Sequence, residues 1–155
     1  MTARFAASLA VFGAAVTLTG WLGARFTAAG IRDGWYAALA KPDWTPPGWL
    51  IGAVWTLLYA LIAVASATLW RRGAYPAYAA LLAVNLALNA YWCRLFFAER
   101  RPTAALVEIL VLEATCLGLV ALAARRSGLA AGLLAPYAAW VAFASFLNAA
   151  IVKMR

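Results

Sequence analysis

Long apolar runs alternate along the chain with short clusters of charged residues, prolines and glycines. A helix that crosses a bilayer needs about 20 consecutive apolar residues, and several runs reach that length. They lie near residues 4–26, 47–70, 76–98, 103–124 and 129–152. The pattern therefore predicts an all-α membrane protein, a bundle of five transmembrane helices that forms a single domain over residues 1–155.

The first connection, around residues 27–46, is the long one. Loops longer than about 12–15 residues are usually functional or disordered. This loop contains Trp35, Tyr36 and Trp44, and such bulky aromatic residues favour a packed segment over a flexible tether. We therefore expect it to form a lid over one end of the bundle.

Composition agrees with a membrane location, since 67% of the residues are hydrophobic and only 12% are charged, against about 25% charged in soluble domains. The net charge of +8 comes from basic residues scattered singly or in pairs. Without a basic stripe, nucleic-acid binding is not expected.

The basic residues also bear on orientation. Seven of them lie on the side of the first and third connections and the C-terminal end, and five lie on the other side. The two sets are Arg25, Arg32, Lys41, Arg100, Arg101, Lys153 and Arg155, against Arg4, Arg71, Arg72, Arg125 and Arg126. Because cytoplasmic loops carry the excess of Lys and Arg, the long first loop and the C-terminus are predicted to be cytoplasmic.

Metal-binding side chains are scarce. The chain has no histidine, the commonest metal ligand, so no metal site is predicted. Cys93 and Cys116 lie within apolar runs, which is typical of small buried residues.

Three spans carry aromatic and amide side chains at helical spacing. These stripes are Gly48, Gly52, Trp55 and Tyr59 in the second span, Asn85, Asn89, Trp92 and Phe96 in the third, and Tyr137, Trp140, Ala144 and Asn148 in the fifth. Trp55, Trp92 and Trp140 lie well inside their spans, where an indole N–H needs a partner that Asn89 or Asn148 could supply. The three tryptophans either form the wall of a pocket for a flat ligand or simply pack the core.

Two carboxylates fall within the fourth span, where acidic residues are costly and often functional. Glu108 lies near the span end, and Glu113 lies deeper. We expect Glu113 to form an ion pair with Arg94 of the third span. The alternative is a role in proton transport.

A second face of the third span is smooth. Ala83, Ala87 and Ala90 lie on the side away from Asn85 and Asn89. Small residues let two helices approach closely in a membrane, so this face is predicted to form a homodimer.

Three blocks in order along the chain resemble a known family. They are "WYAALAKPDWTPPGWLIGAVWTLLYAL", "LALNAYWCRLFF" and "LAPYAAWVAFASFLNAAI". Together they resemble the TspO/MBR family, which contains the tryptophan-rich sensory proteins and the translocator protein or peripheral benzodiazepine receptor. The resemblance covers nearly the whole chain.

The resemblance implies a homodimeric five-helix bundle in a membrane, here a bacterial one. Its pocket would open toward the first loop and bind tetrapyrroles such as protoporphyrin IX or haem, with no obligatory cofactor. The protein would act as a sensor, regulator or transporter of porphyrins. The candidate ligand-binding residues, from motif positions and stripes together, are Trp44, Trp55, Tyr59, Asn89, Trp92, Tyr137, Trp140, Ala144 and Asn148.

Two other functions remain open. Some family members degrade protoporphyrin in light through pocket tryptophans, which by motif position are Trp55 and Trp140; these would be the catalytic residues of such an enzyme. The other function is proton-coupled export of hydrophobic compounds through Glu113. For a tetrapyrrole, Arg32 and Lys41 could meet the carboxylates at the pocket mouth.

The chain also departs from the family pattern. Cys93–Arg94 stands where relatives usually have a hydroxyl residue followed by proline or an aromatic residue, so Arg94 could meet a porphyrin carboxylate instead of Glu113. After Tyr137, no Lys or Arg occurs before Lys153. The sterol pattern is therefore not met, which argues against cholesterol binding.

Overall fold

The computed structural model describes residues 3–155, and within that range the chain forms helices and no strands. The helices are α1 (Ala3–Arg32), α2 (Trp35–Ala38), α3 (Gly48–Trp70), α4 (Pro76–Cys93), α5 (Pro102–Ala124) and α6 (Gly128–Lys153), and a π-helical segment (Arg94–Ala98) continues α4. Five of these units, α1, α3, α4 with the π segment, α5 and α6, are long and apolar enough to cross a membrane. The predicted all-α bundle of five spans is confirmed.

The helix ends follow local sequence signals. Pro76 and Pro102 lie in the first turns of α4 and α5. A backbone N–H there would have no acceptor within the helix, so its absence in proline costs no hydrogen bond. The side chain of Ser127 accepts a hydrogen bond from the N–H of Ala130 at 3.2 Å and caps α6. Gly34 precedes α2 with a φ of 75°, a conformation that glycine adopts without steric cost.

The spans contact one another in a closed ring, in the order α1, α3, α6, α5, α4 and back to α1. One half of the bundle, next to the connections α3–α4 and α5–α6, has a solid apolar core. Its fully buried side chains include Ile62, Leu69, Tyr78, Leu119 and Leu134. The half nearer the first connection is not filled in this way.

The outer surface of the bundle is apolar. In each span, between 17% and 39% of the most apolar window is buried inside the protein. Large apolar side chains such as Val11, Leu57 and Phe146 point outward. In a bundle whose backbone polar groups are satisfied within helices, such a surface fits hydrocarbon rather than water, and the chain is an integral membrane protein.

The first connection is shorter than predicted, because α1 continues to Arg32 instead of ending near residue 26. The last turns of α1 pack against the π segment. A Cβ added to Gly30 would lie 2.8 Å from the carbonyl oxygen of Phe97, so only glycine allows this approach. Tertiary packing thus extends a helix that the local polar sequence suggested would end.

The rest of the first connection is a packed lid, as predicted. The ring of Trp35 lies 5.7 Å from that of Phe96, and the ring of Tyr36 lies 5.3 Å from that of Phe97. Burial raises the pKa of the Tyr36 phenol above its ordinary value. The ammonium group of Lys41 donates to the Leu39 carbonyl at 2.9 Å and so ties the end of the lid to its own backbone.

The predicted ion pair between Arg94 and Glu113 is wrong. Arg94 donates to Glu99 at 2.8 Å. The amide of Asn85 donates to Thr115 at 2.8 Å, so Glu113, two residues before Thr115 on the antiparallel α5, lies about 11 Å along the bundle from Arg94 at 1.5 Å per residue. Within the described residues, Oε2 of Glu113 is buried without a hydrogen-bond partner.

The predicted dimer face is partly on the surface. Ala83 and Ala87 are exposed on α4, next to the exposed side chains of Val84 and Tyr91. Ala90, which we expected on the same face, is buried within the chain. It lies one position beyond Asn89 and faces the neighbouring helices rather than the exterior.

Candidate functional site

A cavity of about 650 Å³ lies in the half of the bundle next to the first connection. This volume falls within the range of about 300–1,000 Å³ that is typical of small-molecule sites. Ile31, Arg32, Tyr36 and Gly48 line it at the end where the first connection passes. Its lining side chains are mostly apolar and aromatic, with a few polar groups.

Seven of the nine predicted ligand-binding residues line this single cavity. They are Trp55, Tyr59, Asn89, Trp92, Trp140, Ala144 and Asn148. The stripes of the second, third and fifth spans therefore do converge.

Trp44 and Tyr137 are not among the lining residues. Trp44 is 53% exposed, and its ring lies 5.9 Å from that of Phe143, which does line the cavity. Tyr137 is buried beneath the cavity, with its ring 6.2 Å from that of Trp55. Trp44 therefore backs the wall from outside, and Tyr137 supports the wall from within the core.

One wall is fixed by hydrogen bonds between spans. The indole N–H of Trp92 donates to Oδ1 of Asn148 at 3.1 Å, and Nδ2 of Asn148 donates to the carbonyl of Pro102 at 2.9 Å. Asn148 was one of two predicted partners for an intramembrane indole, and it is the partner of Trp92. This pair connects α4, α6 and the start of α5.

A second network lies where the cavity meets the solid core. The hydroxyl of Tyr59 donates to Asn89 at 2.8 Å, and the amide of Asn89 donates to the hydroxyl of Tyr137 at 3.2 Å. That hydroxyl donates to Asn85 at 2.9 Å, and the amide of Asn85 donates to Thr115 at 2.8 Å. Each polar group in this network donates a hydrogen bond to the next, so that none is left without a partner, as is usual for buried polar side chains. The two asparagines of α4 thereby join this helix to α3, α5 and α6.

Small residues create the space. A Cβ added to Gly48 or Gly52 would meet nothing within 4 Å, whereas one added to Gly20 would lie 3.1 Å from the ring of Tyr59. Gly20 therefore lets the Tyr59 ring lie against α1. Gly48 and Gly52 leave the α3 side of the cavity open.

Two predicted features of the cavity mouth differ from the structure. Arg32 lines the mouth, but Lys41 does not, because its ammonium group is held by backbone carbonyls of the lid. Arg94 is exposed, does not line the cavity, and pairs with Glu99. Of the three cations considered for a carboxylate-bearing ligand, Arg32 is the one that the structure places at the cavity.

Sequence reasoning missed the contribution of α1. Gly23, Thr27 and Ile31 of α1 line the cavity, as do Cys93 and Phe143. The α1 residues share one helix face with Gly20 and Ala24, so small residues at helical spacing were a usable signal. Because such residues are usually simple packing positions, the signal is weak without structural context.

Comparison with known proteins places the chain among well-defined relatives. Residues 11–154 match the sequence model of the TspO/MBR family. The chain is 40% identical over 139 residues to the tryptophan-rich protein TspO of Archaeoglobus fulgidus, which covers 88% of this chain and 90% of the relative. It is 38% identical over 143 residues to the translocator protein of Homo sapiens, covering 88% and 83%, and 37% identical over 139 residues to the uncharacterized membrane protein YtaB of Bacillus subtilis, covering 84% and 89%.

Proposed function

This chain belongs to the TspO/MBR family, and from that premise we propose that it binds tetrapyrroles such as protoporphyrin IX or haem in its cavity and acts as a sensor or transporter of porphyrins. The observation that carries the proposal is the convergence of Trp55, Trp92 and Trp140, from three separate spans, on one apolar cavity of about 650 Å³.

The chemistry of the ligand matches that of the cavity. A porphyrin is a flat, apolar macrocycle with carboxylates at one edge. Aromatic rings on opposite walls can stack on its faces, and Arg32 at the mouth can pair with a carboxylate. The macrocycle would therefore enter with its carboxylates toward the first connection.

Recognition would depend on burial and stacking rather than on iron. Haem iron takes one or two axial ligands, most often histidine, and the chain has no histidine. Cys93 and Tyr59 line the cavity, but the hydroxyl of Tyr59 already donates to Asn89 at 2.8 Å. We expect protoporphyrin IX, which lacks iron, to bind about as tightly as haem.

A fluorescence titration tests the proposal. Protoporphyrin IX added to the purified protein in detergent should quench tryptophan emission in a saturable way. Trp55→Phe and Trp140→Phe should each weaken binding, whereas Trp70→Phe should not, since Trp70 packs on Phe12 away from the cavity. Quenching that never saturates, or that is unchanged in both cavity variants, would refute porphyrin binding in this cavity.

A second candidate activity is light-dependent breakdown of the bound porphyrin. It is favoured by one observation, that Trp55 and Trp140 line the same cavity and so could both be oxidised by an excited porphyrin in the presence of dioxygen. Under illumination in air, a new absorbing product should appear with the parent protein and not with Trp55→Phe or Trp140→Phe. If the porphyrin binds normally but no product forms, breakdown is excluded and the proposed role as a sensor or transporter is retained.

For orientation, we propose that the first connection and the C-terminal end face the cytoplasm of a bacterial cell. Arg94 lies on that side at the end of its span, so the comparison becomes eight basic residues against five. A membrane-impermeant maleimide added to intact cells should label Ala74→Cys and leave Asp43→Cys unlabelled. The reverse labelling would overturn this orientation.

A further inference from the structure

A surface groove lies at the start of α5, apart from the central cavity. Its volume is about 480 Å³. Arg100, Arg101 and Arg155 line one end, and Ala104 and Val107 line the other. The groove thus combines a strongly basic end with an apolar end on a single surface.

The basic end carries an excess of positive charge. Arg100 pairs with Asp33. Glu99 is shared between Arg94 at 2.8 Å and Arg101 at 3.7 Å, so the second contact is a long one. The side chain of Arg101 is 64% exposed. Together with Arg155, four arginine side chains are balanced by two carboxylate side chains, which leaves a net side-chain charge of +2 at this end.

The backbone holds the arginines in place. Arg100 has a φ of 55°, a left-handed conformation that is uncommon for residues other than glycine and persists only when its surroundings enforce it. The N–H of Arg101 donates to the carbonyl of Leu95 at 2.9 Å. The turn therefore presents both side chains from a fixed backbone.

The apolar end reaches into the membrane-spanning part of α5. Val107 is 65% exposed and lies five residues after Pro102, about 7.5 Å further along the helix. Leu110 and Val111 continue the exposed apolar surface. A molecule in the groove would therefore have its anionic part at the bilayer surface and its apolar part in the hydrocarbon.

We propose that this groove binds an anionic phospholipid, with its phosphate among Arg100, Arg101 and Arg155 and one acyl chain along Ala104 and Val107. Basic pockets beside spans are known to hold anionic headgroups, and bidentate pairing with phosphate favours arginine. The site is distinct from the tetrapyrrole cavity and does not depend on the function proposed for it.

Other occupants fit less well. Free phosphate would leave Ala104 and Val107 uncovered. A second copy of the chain in a two-fold contact would set arginine against arginine. A porphyrin is anionic and apolar, but none of the groove residues is aromatic, so its faces would have nothing to stack on.

Native mass spectrometry of the full chain with bound lipid tests the proposal. The probes are phosphatidylglycerol, which is anionic, and phosphatidylcholine, which is not. The test variant is Arg101→Gln/Arg155→Gln. The matched control is Arg71→Gln/Arg125→Gln, which removes two exposed charges from the opposite side of the membrane. Arg100 is kept because it pairs with Asp33 of the lid.

The parent should retain phosphatidylglycerol in preference to phosphatidylcholine. The affinity for phosphatidylglycerol should fall about tenfold in the test variant and stay unchanged in the control. An absence of lipid preference, or an equal fall in both variants, would overturn the proposal in favour of diffuse attraction.

A separate variant, Val107→Trp, should also lower retention of phosphatidylglycerol by filling the apolar end of the groove. Unchanged retention in this variant would show that no acyl chain lies along Val107. Equal unfolding temperatures would confirm that all variants fold.

Discussion

The indole N–H of Trp92 and the side-chain oxygen of Asn148 are 3.1 Å apart, in a hydrogen bond between α4 and α6. The amide nitrogen of Asn148 reaches in turn to the carbonyl of Pro102, where α5 begins. One asparagine therefore fixes the orientation of a cavity tryptophan and joins three spans at the open end of the bundle. Asn148 is 1% exposed, and a buried amide whose hydrogen bonds are satisfied favours one arrangement of the side chains around it.

Asn148→Leu should destabilise the protein, because it leaves the Trp92 N–H and the Pro102 carbonyl without partners at a cost of about 1–3 kcal/mol. The unfolding temperature in detergent should fall. Ser145→Ala is the control, since among residues 3–155 the Ser145 hydroxyl bonds only to the carbonyl of Val141 in its own helix. An equal effect of the two substitutions would contradict a special role for Asn148.

Gly30→Ala should lower stability by about 1–3 kcal/mol, as is usual for overpacking. The added methyl would meet the backbone oxygen of Phe97 at 2.8 Å, which cannot rotate away. Gly13→Ala, in the same helix and with nothing within 4 Å, should be neutral or slightly stabilising through helix propensity. Thermal unfolding of the two variants side by side measures the difference, and equal midpoints would show that α1 does not approach the π segment this closely.

Glu108→Met should stabilise the protein. Glu108 is 8% exposed, and neither carboxylate oxygen has a hydrogen-bond partner within the described residues. Burying such a group without a partner costs roughly 1–3 kcal/mol, which an unbranched apolar side chain of similar size avoids.

Glu113→Met is the comparison for that variant. Glu113 is only half-buried, and within the described residues one of its carboxylate oxygens, Oε2, is buried without a hydrogen-bond partner. Its replacement should therefore stabilise the protein less than Glu108→Met does. A Glu108→Met protein that unfolds at a lower temperature than the parent would mean that Glu108 has a partner in the membrane.

The exposed alanine face of α4 predicts a homodimer contact. Ala83→Cys and Ala87→Cys should each give a disulfide-linked dimer on mild oxidation, because small residues allow close approach of two helices. Ala90→Cys should not, since Ala90 is buried within the chain. The readout is a non-reducing gel. The parent protein is run beside the variants to show how much disulfide-linked dimer its own cysteines, Cys93 and Cys116, form. If neither exposed cysteine ever links two chains, this face is not the interface.

The sequence was sufficient for the spans, because each is a long apolar run bounded by prolines and charges, and the stripes identified which faces turn inward. The sequence could not show at which level along its helix each residue lies relative to the cavity and to the neighbouring helices. Tyr137 lies on the predicted face but below the cavity, and whether Glu113 can reach Arg94 depends on how α4 and α5 are aligned. The extension of α1 to Arg32 likewise depends on its contact with Phe97, which is distant in sequence.

The central claim is that the cavity itself is the ligand site, and filling it tests that claim most directly. Gly52 lines the cavity and has open space around it, so Gly52→Leu adds volume without removing any aromatic residue. Gly13→Leu is the control, at an equally open glycine that does not line the cavity.

The measurement is the dissociation constant of protoporphyrin IX, from quenching of tryptophan fluorescence in parent, Gly52→Leu and Gly13→Leu proteins of equal thermal stability. We expect Gly52→Leu to bind at least about tenfold more weakly, since a well-placed steric clash readily exceeds 1.4 kcal/mol, and Gly13→Leu to match the parent. Unchanged affinity in Gly52→Leu would contradict the claim and place the porphyrin elsewhere on the protein.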